Sequence, residues 1–325
     1  MPTEASSPRP RRGVASALRR LVSRMCTDDE DGAALALARI GVGLVVTVAL
    51  LGHVGAVAEY FSDASELRGM WAESAFSTRW SPLFSWSEPW QARALFGVGV
   101  VAHLGWITGT FTRVSTAISA FTWISLIGRN PLLYGYPDQL GLVLCVLMVF
   151  MPTGQTWSVD ALLRARRGDR STGRVPRWCR HLLQLQLAVV YTGTGLSKTG
   201  DTWREHGSAI YYTVANPLNR HFDAGELFAG LHAWVLRPMT FSVVAWETAF
   251  AGFVLAWWLR QVIGPRRWLP DLRWLFLGMG LAMHLGIQLL VFVMTFSALM
   301  VATYAAFLEP SEARRIVAWF RRRAS

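Results

Sequence analysis

The chain has 325 residues, of which 52% are hydrophobic and 16% charged, with a net charge of +11 and 16 tryptophans. Soluble domains carry about 25% charged residues, so this balance excludes an ordinary soluble domain and favours one that lives in lipid. The positive charge does not imply nucleic acid as a partner, because the arginines cluster in tails and loops beside apolar runs, as the positive-inside pattern of membrane proteins requires.

A spanning helix needs about 20 mostly apolar residues. The N-terminal tail, 1–30, is basic from Arg9 to Arg24 and reads as cytoplasmic, with a short amphipathic helix. The first expected span is Ala33 to Ala58, followed by a polar, Trp-rich stretch from Glu59 to Trp90. The second runs from Ala92 to Thr108, the third from Val114 to Ile127 and the fourth from Leu140 to Met151. The most basic loop follows, from Arg164 to Arg180. The fifth span is Leu182 to Thr199 and the sixth Phe241 to Leu259, separated by a mixed polar stretch, Asp201 to Arg237. A basic loop, Arg260 to Arg273, leads to Trp274 to Phe307, which is too long for one helix and is expected to break near Phe292 to Phe296. The expected fold is therefore an all-α, polytopic transmembrane helical bundle of about eight spans, some short or broken. It makes one membrane domain, 31–308, with a basic C-terminal tail, 309–325, and both termini in the cytoplasm. Cys26, Cys145 and Cys179 have no metal or redox spacing, and neither a disulfide nor a metal site is expected.

Of the 32 basic residues one is lysine, Lys198, near the outer end of the fifth apolar segment. Arginine stays protonated in proteins, whereas a buried lysine can give up its proton and act as base or nucleophile. The competing reading is a lysine that snorkels to the interface. Gln184, Tyr191 and Lys198 recur every seven residues and share one helix face, with Gly195 on the same stripe. A polar stripe on a spanning helix must face other helices or a wet cavity. Gly193 and Gly195 suit close helix packing. His284 and Gln288 stand one turn apart in the seventh segment, and Glu247 in the sixth asks for a cationic partner, Lys198 or an outer-loop arginine. His53 and His103 read as packing histidines.

Arg129-Asn-Pro, Asp138-Gln139, Trp157-Ser-Val-Asp160-Ala-Leu-Leu163, Gln184-Leu-Gln, Tyr191, Lys198 with Trp203, and the His284 segment together resemble the horizontally transferred transmembrane (HTTM) family. That family includes the membrane part of vitamin K-dependent gamma-carboxylase and bacterial proteins similar to sporulation-delaying protein B. The resemblance implies that Lys198 stands where the carboxylase has the base for its reduced quinone, and that His284 matches a late membrane histidine. Tyr191, Gln184, Glu247, Gln288, Trp203, Asp138 and Gln139 are the residues expected to bind the substrate or support the site. Two departures limit the resemblance. The carboxylase histidine before the tryptophan motif is Gln155 or Thr156 here, and no counterpart of the large lumenal domain is expected after the last span. Three functions stay open. One is a carboxylase-like enzyme acting on a lipid-soluble molecule or a secreted peptide, with a reduced quinone as its candidate co-substrate. The second is a non-catalytic factor that helps a secreted peptide mature beside a partner protein, and the third is a transporter.

Overall fold

The computed structural model describes residues 23–66, 80–133, 135–169, 173–223 and 225–324. The expected N-terminal amphipathic helix lies outside them, as does part of the polar stretch after the first apolar segment.

Each expected apolar segment is a helix. They are α1 (Ala33–Leu51) with its short continuation α2 (Val57–Phe61), α3 (Pro89–Thr108), α4 (Thr112–Arg129) and α5 (Tyr136–Phe150). After α6 (Val159–Arg166) come α7 (Trp178–Ser197), the outer helices α8 (Asp201–Arg204), α9 (Ala209–Ala215) and α10 (Gly225–Leu231), then α11 (Arg237–Ile263) and α12 (Arg273–Leu290). The predicted break in the last apolar run falls at Val291–Thr295, before α13 (Phe296–Thr303), a 3₁₀ turn (Tyr304–Phe307) and the terminal α14 (Pro310–Ala324). Among the described residues three helical stretches are long and apolar enough to cross a membrane: Ala33–Phe61, Gly225–Ile263 and Arg273–Leu290. Tyr136–Phe150 and Phe296–Phe307 are apolar but shorter. The outer surface exposes Val101, Val189, Leu255 and Leu285, as suits a helix bundle in lipid.

Local chemistry sets the helix ends. Before α3, Glu88 and Gln91 form a capping box with Pro89 in the first turn, and Gly109 closes the helix at φ 70°, a left-handed conformation that favours glycine. The tryptophan motif is a clasp. Asp160 accepts bonds from Phe111 N–H (2.8 Å), Thr112 N–H (2.8 Å) and the Thr112 hydroxyl (2.6 Å), and so caps α4 from a distance. Burial alone would raise the Asp160 carboxyl, but these bonds and nearby Arg164 outweigh it and hold the group below its usual range. Ser158 caps α6 itself. The fully buried Arg39 of α1 ties the clasp to the bundle, donating to the carbonyls of Thr153 (2.8 Å) and Trp157 (2.6 Å).

One end of the bundle gathers the basic segments. Asp29–Asp31 (β1) pairs antiparallel with Arg174–Pro176 (β2). Glu30 takes both ends of the Arg180 guanidinium at 2.6 and 2.7 Å, and Arg180 also donates to the Leu308 carbonyl at 3.0 Å. Arg273 forms a fork with Glu312 at 2.7 and 3.0 Å, and Arg314 binds Asp31. The segment before α1, the Arg164–Arg180 loop, the start of α12 and α14 thus meet in one cluster. At the opposite end, Arg129 pairs with Asp63 at 2.5 Å and Asn130 donates to the Tyr60 carbonyl at 3.0 Å, so the Arg-Asn-Pro motif fastens the turn after α4 to the end of α2.

The core between the ends is aromatic in its second half. Tyr191 of α7, Trp246, Phe250 and Phe253 of α11 and Phe276 of α12 form a continuous array, with Phe253 stacked on Phe276 at 4.5 Å. Helices α7 and α11 can meet closely because Gly195 has no side chain: a Cβ there would come within 2.6 Å of the Thr248 nitrogen. Gly193 has no such role, since a Cβ there meets nothing within 4 Å.

Candidate functional site

Helices α7, α9, α11 and α12 enclose a cavity of about 630 Å³ at the end away from the basic cluster, with α13 beginning at its rim. Its walls are mostly apolar, built from Val190, Ile210, Val214, Met239, Val243, Met279, Met283, Ile287 and Phe296. The chemistry is concentrated in Lys198, Glu247, Thr194, Tyr191 and His284. A largely apolar pocket with a few converging polar groups is the usual form of a small-molecule site.

Lys198 is the C-cap of α7, one residue past the last helical turn, and not inside the helix. There the ammonium meets the Glu247 carboxylate in an ion pair, with 18% of the lysine side chain and 9% of the glutamate exposed. It also stands over the Trp203 ring, 5.1 Å from its centroid. Arg204 donates to the carbonyls of Lys198 (2.7 Å) and Gly195 (3.0 Å), closing the open end of α7 and fixing the lysine backbone. Glutamate thus finds the cation its sequence position demands, and of the two candidates it is the lysine.

The second polar group sits deeper. Tyr191 Oη lies 2.7 Å from His284 Nε2 and 2.5 Å from Tyr304 Oη. His284 Nδ1 is 3.3 Å from the Ser297 hydroxyl, so both ring nitrogens are engaged. Gly280, one turn before His284, makes room for this group: a Cβ there would reach within 2.1 Å of Tyr304 Oη. Tyr304 and Ser297 carry no signal in the sequence beyond being polar residues in an apolar run. It is the break before α13 that lets that helix fold back and present them.

The remaining sequence candidates lie elsewhere. Gln184 shares the Tyr191 face but is spent on structure, accepting from Trp258 Nε1 at 2.5 Å and donating to the Ala306 carbonyl at 2.7 Å. Gln288 is on the exposed side of α12, one turn beyond His284. Asp138 caps the start of α5, accepting from Gly135 N–H at 2.9 Å, and borders a separate small pocket with His53 and Trp123. Gln139 beside it is exposed. His103 bonds the Gly99 carbonyl at 2.7 Å and packs among tryptophans. Of the residues singled out from sequence, the cavity unites Lys198, Glu247, Trp203, Tyr191 and His284.

No solved structure matches the chain. A sequence model of the HTTM domain matches residues 28–311, a span that holds the clasp, the cavity and both polar groups. With most of its length matched, the chain belongs to the HTTM family.

Proposed function

We propose that this membrane protein is an enzyme in which Lys198 is the proton acceptor for a molecule held in the apolar cavity. The observation that carries the reading is the pairing of the chain's single lysine with Glu247 at the wall of a 630 Å³ cavity of mostly apolar lining. When an apolar molecule displaces water there, the charges of the pair lose their solvation and one proton can pass from Nζ to the Glu247 carboxylate. The neutral amine then takes a proton from an acidic group of the bound molecule, and Glu247 holds the first one. Trp203 and Arg204 keep the amine in place through both steps, and Tyr191, held by His284 and Tyr304, offers a hydroxyl to an oxygen of the substrate.

The substrate class is a lipid-soluble ring compound, or a secreted peptide reached from the outer face. A reduced quinone suits walls of this chemistry: Trp203, Trp246 and the methionines Met239, Met279 and Met283 would hold its apolar parts. Bound there, it would supply an ionisable ring hydroxyl. A partner protein that presents the peptide belongs to the same reading. The gathering of the described basic segments at one end supports a multi-pass arrangement with 31–308 as the membrane domain and the tails, 1–30 and 309–325, in the cytoplasm. The cavity then opens toward the outer half.

The test replaces Lys198 with Arg and with Ala, checks membrane levels, and compares secreted peptides and lipid extracts with those of a deletion strain by mass spectrometry. Base chemistry requires both variants to match the deletion. If Lys198→Arg keeps the wild-type profile, the cation is only a clasp between α7 and α11, and the protein is a non-catalytic factor for a secreted peptide.

A further inference from the structure

Helix α14 (Pro310–Ala324) begins at the basic cluster and runs off the bundle. Its apolar residues follow the spacing i, i+3, i+4, i+7: Ala313, Ile316, Val317 and Phe320. Ala313 is fully buried against Ala33 and Ala34 at the start of α1. One turn later the stripe is uncovered at Ile316, 37% exposed, and Phe320, 62%, with Trp319, 43%, beside them. The helix is thus pinned by its first turns, where Glu312 holds Arg273 and Arg314 holds Asp31. Its remaining length projects an apolar face at the level where α1 begins.

The charge beside that face names its occupant. Among the described residues Arg315, Arg321 and Arg322 have no carboxylate partner, and Arg323 lies over the Trp319 ring at 3.9 Å. A helix whose aromatic and aliphatic face is flanked by arginines, as here, lies in the plane of a membrane surface. The bundle itself sits in lipid, so the interface passes this end. We propose that α14 is an interfacial helix that docks its second half onto anionic headgroups of the leaflet around the bundle, fixing the depth and tilt of that end. Neither a second copy of α14, with the same positive charge, nor the arginine-rich segment before residue 23 complements it.

The test uses the full chain, one copy per nanodisc, and hydrogen exchange of residues 314–324. Discs of phosphatidylcholine alone are compared with discs that also contain phosphatidylglycerol. Docking predicts slower exchange of this helix in the anionic discs, with α1 unchanged. Arg321→Glu with Arg322→Glu should remove the difference, each arginine being worth about a fivefold change in surface binding, and Trp319→Ser with Phe320→Ser should speed exchange in both discs. Equal exchange in the two lipids, unmoved by either pair of substitutions, would overturn the proposal. So would protection that appears only when two copies share a disc.

Discussion

The two ends of the bundle use charge in opposite ways. At the basic end the buried arginines are each held by several fixed acceptors: Arg180 has two carboxylate oxygens and a carbonyl, Arg273 has two carboxylates and a carbonyl, and Arg39 donates to the carbonyls of Thr153 and Trp157. Their planar forks are matched to fixed acceptors, and the open volume that Arg180 borders is lined by charged side chains of both signs, among them Glu30, Arg177, Arg260, Asp271 and Glu309. At the other end one lysine meets one carboxylate beside a cavity, with an aromatic ring on a further side. The first arrangement locks helices together. The second places an ion pair beside room for a molecule, the arrangement on which the proposed proton transfer rests.

The comparison breaks most easily at the basic end. Arg180→Ala leaves the buried Glu30 with only the longer pairing to Arg177 at 3.7 Å and should cost about 3 kcal/mol, read as a large fall in thermal stability or as loss of the protein from the membrane. Glu247→Gln keeps the shape of the side chain and should cost less, about 1.5–3 kcal/mol for a lost charged hydrogen bond, yet abolish product formation. A Glu247→Gln protein that keeps its activity would remove the carboxylate from the proton path. Tyr191→Phe leaves His284 Nε2 and Tyr304 Oη facing each other without their link, at about 1–3 kcal/mol, and should lower turnover more than it changes substrate affinity.

Much of this contrast is legible in the residues themselves. The single lysine among arginines, its register with Tyr191 and the lone Glu247 in an apolar segment all point to the cavity before any geometry is known. The helices follow from apolar runs, and even the break before Phe296 falls where length demands one. What could not be read is which polar groups are spent on structure. Gln184 has the same seven-residue register as Tyr191 and Lys198, yet its amide is consumed by Trp258 and Ala306. Asp138 caps its own helix through Gly135, and the tryptophan motif is a capping device whose partner is close in space but far apart in sequence, Asp160 to Thr112 being 48 residues apart. Periodicity reports which face a residue shares and is silent on who waits opposite.

The smallest effect belongs to that clasp. Asp160→Asn should cost about 0.5–2 kcal/mol through the weakened α4 cap. Because the folded protein holds the Asp160 carboxyl below its usual range, the wild type has the full advantage above the ordinary carboxylate range. The gap between wild type and variant closes as the pH falls through the lowered value. Thermal unfolding of both proteins across that acid range measures it.

The most direct test of the contrast uses the fact that the chain has one lysine. A lipid-soluble acylating ester, added to the folded protein in membranes, is located afterwards by peptide mass spectrometry. If Lys198 faces the cavity with a proton it can release, it is acylated in the native protein, and Gly286→Phe, which fills open space on the α12 wall, slows the reaction severalfold. If Lys198 is acylated only after unfolding, its ion pair with Glu247 is as closed as those at the basic end, and the cavity has no base.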